Sequence, residues 1–378
     1  MSVSVNSRRT RLRSALAVVL TALVLLPAAG LFLRVLQENS HQRDNTKLEQ
    51  QGVEYLTALS TLVSALAESQ ASALQGVPAE PASVTAAVAR VQGVDERLGD
   101  DLETKTRWAD LKDKISKLPK IPADTAAEKV FEAHVEVADL TLEMYDLVAE
   151  NSTLAQDDDN DIWFLQEAVT VRMPEAVTAV SRMSDLASMA AGAKKAQRQL
   201  LTVRFGYEAL AVQDSVGEVT DSLQEAVDST NSDTLSGNLV SNLDSFRRGI
   251  EAANRGANLG SGAPNASTLV TAQSTLQTAL SALSGVVLKE ISGLLDDRMD
   301  TLNYKRFEAY ALFGIAVALI VVATFWTRVR AREVRSGLTS QSGEGSRDVS
   351  VQAAGSYDST YGDIPNYGGG RERTGALR

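Results

Sequence analysis

The chain has 378 residues, of which 44% are apolar and only 5% aromatic; its formal net charge is -11 and it contains no cysteine. Disulfides, thiolate metal sites and cysteine nucleophiles are therefore excluded, and an acidic chain with no strongly basic segment does not make the phosphate contacts on which nucleic-acid binding rests. The prevalence of Ala, Leu, Val, Ser and Thr is the usage of long packed helices, so the expected fold class is all-α.

Residues 1–13 form a basic start with Arg8, Arg9, Arg11 and Arg13. An uncharged run, SALAVVLTALVLLPAAGLFL at 14–33, follows and is long enough to cross the roughly 30 Å hydrocarbon layer as one helix. It reads as an uncleaved anchor, because Pro27-Ala28-Ala29-Gly30 still lies inside the run and no small-residue cleavage site stands beyond it.

Leu48, Gly52, Tyr55, Leu59, Leu62 and Leu66 then recur at steps of four and three, the mark of a helix with one narrow buried seam, ending near Gly76-Val77-Pro78. A second seam through Val84, Val88, Val91, Leu98 and Leu102 shifts phase, resumes at Trp108, Leu111, Ile115 and Leu118, and stops at Pro119 and Pro122. Asp124 or Thr125 is the expected cap of a third helix, with Val130, His134, Val137, Met144 and Leu147 inward, ending near Asn151.

Asp157, Asp158 and Asp159 open a fourth helix where carboxylates favour the N-terminal dipole; Ile162, Leu165, Val169, Met173, Val177 and Val180 continue it, with a kink expected at Pro174. The pattern predicts continuation past a bend at Gly192 through Phe205 to Val227. A short fifth helix over 235–250 and a Gly/Asn/Ser-rich loop over 254–264 precede a last seam from Leu269 to Leu302. That outer helix, 265–308, would be on the order of 65 Å long, giving an elongated helical bundle.

The second uncharged run, AYALFGIAVALIVVATFW at 309–326, ends in interfacial aromatics and is followed by Arg328, Arg330, Arg332 and Arg335. Basic clusters outside both runs place both termini in the cytoplasm and 34–308 outside the cell membrane, with Asp296, Asp297 and Asp300 on the outer flank. Residues 327–378 read as a basic stretch and then, from 336, a Ser/Gly-rich disordered tail without apolar periodicity.

Glu150-Asn151-Ser152, Leu154, the acidic run to Asp161, Trp163-Phe164-Leu165 and Arg172-Met173-Pro174-Glu175 together resemble the helical extracytoplasmic sensor region of bacterial transmembrane transducers, the class ahead of chemoreceptor and diguanylate cyclase modules. Glu49 to Tyr55 and Trp108 to Lys112 are weaker echoes. The resemblance covers roughly 45–190. It implies some six helices in two stacked four-helix bundles that receive a small molecule or a protein and move a membrane helix. The chain departs from the class after Trp326, where no output module follows.

As candidate ligand-binding residues, Arg172, close to the inward seam, offers a two-point grip on a carboxylate, against the alternative of a cation that reaches solvent or pairs with Asp161. Trp163, Phe164 and Trp108 offer aromatic pocket walls, against the alternative of plain core. The acidic run lacks the turn glycine and closing glutamate of a calcium loop, and His41 and His134 have no metal-ligand spacing. No catalytic residue, metal or cofactor is expected, and the chain does not read as an enzyme.

The expected function is that of a membrane-anchored sensor passing helix movement to a separate cytoplasmic signalling protein. The alternative is a scaffolding envelope protein without a small-molecule ligand. Expected partners are the lipid bilayer, a small-molecule ligand, that signalling protein and a second copy of the chain, since the seams at 48–66 and 269–302 suit a homodimer.

Overall fold

The computed structural model describes residues 4–76, 82–118, 121–122, 124–156, 160–229, 233–257 and 264–339, among which there are helices, turns and no strand. The fold is all-α. The acidic run 157–159, Pro78, Pro119 and the tail from 340 lie outside the described residues. The chain divides into two units, Met1–Ala316 and Val317–Arg378. The architecture below is that of the first; of the second, the described part is the end of one helix.

α1 (Ser4–Leu74) joins the first apolar run to the first seam without a break. Tyr55, Leu56, Leu59 and Leu62 are fully buried, and the helix packs on α2 (Ala82–Leu98), α4 (Ala127–Asn151) and α6 (Met173–Gly192). It ends where expected, at Gly76, whose φ of +77 suits a residue without a Cβ. Gly52 allows a close approach: a Cβ there would lie 2.3 Å from Ser152 Oγ and 2.7 Å from Leu154 Cδ1, just beyond α4.

The phase shift in the second seam is a chain turn at Gly99–Thr104, where Glu103 takes φ +53, before α3 (Lys105–Ile115). The expected cap of α4 by Asp124 or Thr125 is not formed. Ala126 occupies that position without a side-chain cap, and Thr125 lies in the preceding turn, its N–H donating to Pro122 O.

α5 (Asn160–Glu167) passes into α6 through a π-helical turn, Ala168–Arg172. Pro174 has no N–H to give, and instead of a sharp kink the strain is absorbed by one wide turn in which Met173 N–H reaches Ala168 O, five residues back.

Beyond Gly192 the expected bend is a full reversal. α7 (Lys195–Ser229) packs along α6; Arg198 at its start bonds the Ala190 and Ala193 carbonyls at the end of α6, while Glu218 far along it meets Arg172 at the other end. Two helices joined by two residues and tied at both ends are antiparallel. α8 (Asp233–Ala257) is longer than the expected 235–250. It lies against α9 (Ala266–Thr339), where a Cβ at Gly249 or Gly256 would fall 2.7 or 2.9 Å from Leu276 or Leu269.

α9 returns along α1 in a constant antiparallel register. Glu49 pairs with Arg298 at 3.1 Å, Gln50 donates to Asp296 at 2.7 Å, and Asn39 Nδ2 donates to Leu302 O at 3.0 Å. Phe32 stacks on Phe313 with centroids 4.3 Å apart. The seams expected to serve a homodimer are consumed here, since Leu59, Leu62, Leu276 and Leu283 are buried within the one chain. α9 also runs four residues, 336–339, into the stretch read as disordered.

Both apolar runs are long enough to cross a membrane, and none of their most apolar stretch is buried in the fold. Leu23, Leu26, Leu31, Leu312 and Ile315 are each more than half exposed, which a core helix of a soluble protein would not tolerate at this density.

Candidate functional site

Polar residues interrupt the apolar seams of α1, α6 and α9 at one common level. Gln70, Ser181, Asp185 and Gln273 are all at least 95% buried. Gln70 Nε2 donates to Asp185 Oδ2 at 2.9 Å, the Ser181 hydroxyl reaches the same oxygen at 3.5 Å, and Gln273 Nε2 donates to Ser181 Oγ at 3.4 Å. Burial pushes the Asp185 carboxyl up to about 7, although the bonds from Gln70 and Ser181 oppose the shift by favouring the charged form.

Asp185 and Gln273 line a cavity of about 610 Å³, within the range of small-molecule sites. Its apolar wall is Leu74, Met189, Leu201 and Val270; its polar wall is Gln75, Ser188, Gln197 and Gln273. Helices α1, α6, α7 and α9 supply these side chains, and Ala126 and Ala127 close in from the start of α4. A second cavity of about 890 Å³, between α1, α2 and α9, shares Ala71, Gln75, Val270 and Gln273 with the first.

The residues singled out in the sequence stand elsewhere. Trp108 is 2% exposed and donates its Nε1 hydrogen to Gln92 Oε1 at 2.8 Å, a satisfied core tryptophan. Trp163 and Phe164 meet edge to face at 4.8 Å, the first 39% exposed and the second packed on the core. Arg172 has its guanidinium engaged by Glu167 at 2.9 Å and Glu218 at 2.7 Å. The pairing with Asp161 gives way to Glu167 because the π-helical turn aligns residues five apart. None of these four lines a cavity described above.

His134 is a core residue: Nδ1 donates to Val130 O at 2.9 Å, and burial pushes its pKa down, keeping it neutral. Among the described residues no group of His, Asp and Glu is placed to hold a metal ion. The polar level was readable in principle. Gln70 falls four residues after Leu66, and Gln273 sits between Leu269 and Leu276; a polar side chain at a seam position is the signal.

These features define an all-α helical-bundle protein carrying two candidate membrane-spanning helices. No protein-family model, curated protein or solved structure matches the chain.

Proposed function

We propose that this is a membrane-anchored sensory protein of two passes, with both termini cytoplasmic and the helical domain outside, which binds a small molecule in the Asp185 cavity. The observation that carries the reading is that α1 and α9, the two helices bearing the apolar runs, both contribute walls to that cavity. A ligand that draws their side chains together acts directly on helices that continue towards the bilayer. Small helix displacements are a known switching mode, and a separate cytoplasmic protein would read the movement. The resemblance to transducer sensor regions agrees in kind.

The test is a thermal melt of the full chain in lipid nanodiscs against a broad metabolite library. A ligand at 100 times its Kd should add about 2.7 kcal/mol to stability. If no compound shifts the melt, and crosslinking in membranes captures one stable protein neighbour, the scaffold reading replaces it. One observation favours that rival: α7 presents Leu200, Val203, Tyr207 and Leu210, at seam spacing and each more than half exposed. Beside them is a groove carrying Glu132, Glu136, Asp139, Glu143 and Glu208.

A further inference from the structure

We propose that the Asp185 cavity takes an organic amine in its ammonium form, with the charged head on the Asp185 carboxylate and an apolar body against Leu74, Met189, Leu201 and Val270. This rests on the reading of the cavity as a ligand site. It is drawn from the charges of the wall. Asp185 is the one ionisable side chain among the described lining residues, and the other polar groups there are amides and a hydroxyl.

An anion entering this space finds no cation among the described lining residues. On α6 and α7, Arg182 pairs with Asp139 and Arg198 bonds the Ala190 and Ala193 carbonyls. A neutral ligand leaves a carboxyl at 4% exposure without a counter-charge, which a low-polarity interior penalises. An ammonium group removes that penalty. The hydrogen bonds from Gln70 and Ser181 both end on Oδ2, and no bond from the described residues reaches Oδ1. The carboxylate is thus held in place with one oxygen left for a donor.

Binding should be linked to proton release. The fold pushes the Asp185 carboxyl up to about 7, and an ammonium ligand selects its charged form. The groups facing it are Gln70 from α1, Ser181 on its own helix, Gln273 from α9 and Gln197 with Leu201 from α7; Ala126 and Ala127 approach from α4. None of these titrates. Affinity should therefore rise by up to tenfold per pH unit below 7 and level off above it.

The experiment uses the full chain in nanodiscs and calorimetric titration with butylamine, hexylamine, phenethylamine and 1,4-diaminobutane. Each monoamine is paired with its N-acetyl derivative and the diamine with its N,N′-diacetyl derivative, and 3-phenylpropanoate serves as the anion. At least one amine should bind, its acetylated form at least tenfold more weakly, with protons released at pH 6.5. Asp185→Asn should abolish binding while melting no lower than the parent at pH 8. Ser188→Phe, which fills the cavity from a half-buried position, should abolish it too. Binding of an acetylated or anionic probe that Ser188→Phe removes would overturn the amine assignment yet keep the cavity as a ligand site. Silence from every amine overturns the assignment; if the metabolite library is silent as well, the sensory reading falls with it.

Discussion

Asp185 leaves a signature in stability that pH can read. Its folded carboxyl is raised from the ordinary 3.8 to about 7, so the folded state holds a proton that the unfolded chain has already given up between those values. Stability therefore falls as pH rises through that window, by on the order of 4 kcal/mol at most, and is constant outside it. Asp185→Asn keeps the shape and removes the titration. We expect the variant to melt higher than the parent at pH 8 and equal to it near pH 4, measured by calorimetry across that range.

A second buried carboxylate is fixed by two hydroxyl donors. Asp95 accepts from Tyr55 at 3.0 Å and from Thr104 at 2.7 Å through the same oxygen, all three side chains being buried. Tyr55→Phe takes a donor from a group that water cannot reach, at a cost of about 2 kcal/mol in chemical denaturation. At this scale the sequence was least legible. Tyr55 was visible as a seam residue, but that its hydroxyl would meet Asp95 depends on how α2 lies on α1. Arg172 was visible as an inward cation, but which carboxylates it meets depends on the π-helical turn and on α7 folding back.

At the scale of elements, steps of three and four revealed most helices, since an apolar stripe of that period has few other ways to bury itself. What they concealed was the reversal between α6 and α7. The apolar pattern passes through Gly192 almost unbroken, and the turn is made by an extended Ala193 and by Arg198 bonding carbonyls it faces only after the reversal. Gly52, by contrast, stood out as a glycine in a seam, and the structure gives the reason. With Ser152 and Leu154 against it, Gly52→Val forces a clash that neither neighbour can vacate cheaply. We expect a loss of about 3 kcal/mol, seen as a lower denaturation midpoint. Gly93→Val, where nothing lies within 4 Å, serves as the control, changing stability only by the small helix-propensity difference, which favours valine.

For the molecule as a whole, every functional consequence of the cavity depends on which side of the membrane it faces. The proposed orientation rests on arginines at 8, 9, 11 and 13 before the first run and at 328, 330, 332 and 335 after the second, with acidic residues 296, 297 and 300 on the outer flank of the second run. The chain offers a clean assay because it has no cysteine of its own. Asp110 is exposed on α3, and Ser356 belongs to the tail. A membrane-impermeant maleimide should label Asp110→Cys in intact cells, whereas Ser356→Cys should react only after lysis. Labelling of Ser356→Cys alone would turn the domain inward. The cavity would then sample cytoplasmic solutes, α1 and α9 would have no outside signal to carry, and the exposed stripe on α7 would face cytoplasmic proteins, which is the arrangement a scaffold requires and a transmembrane sensor cannot use.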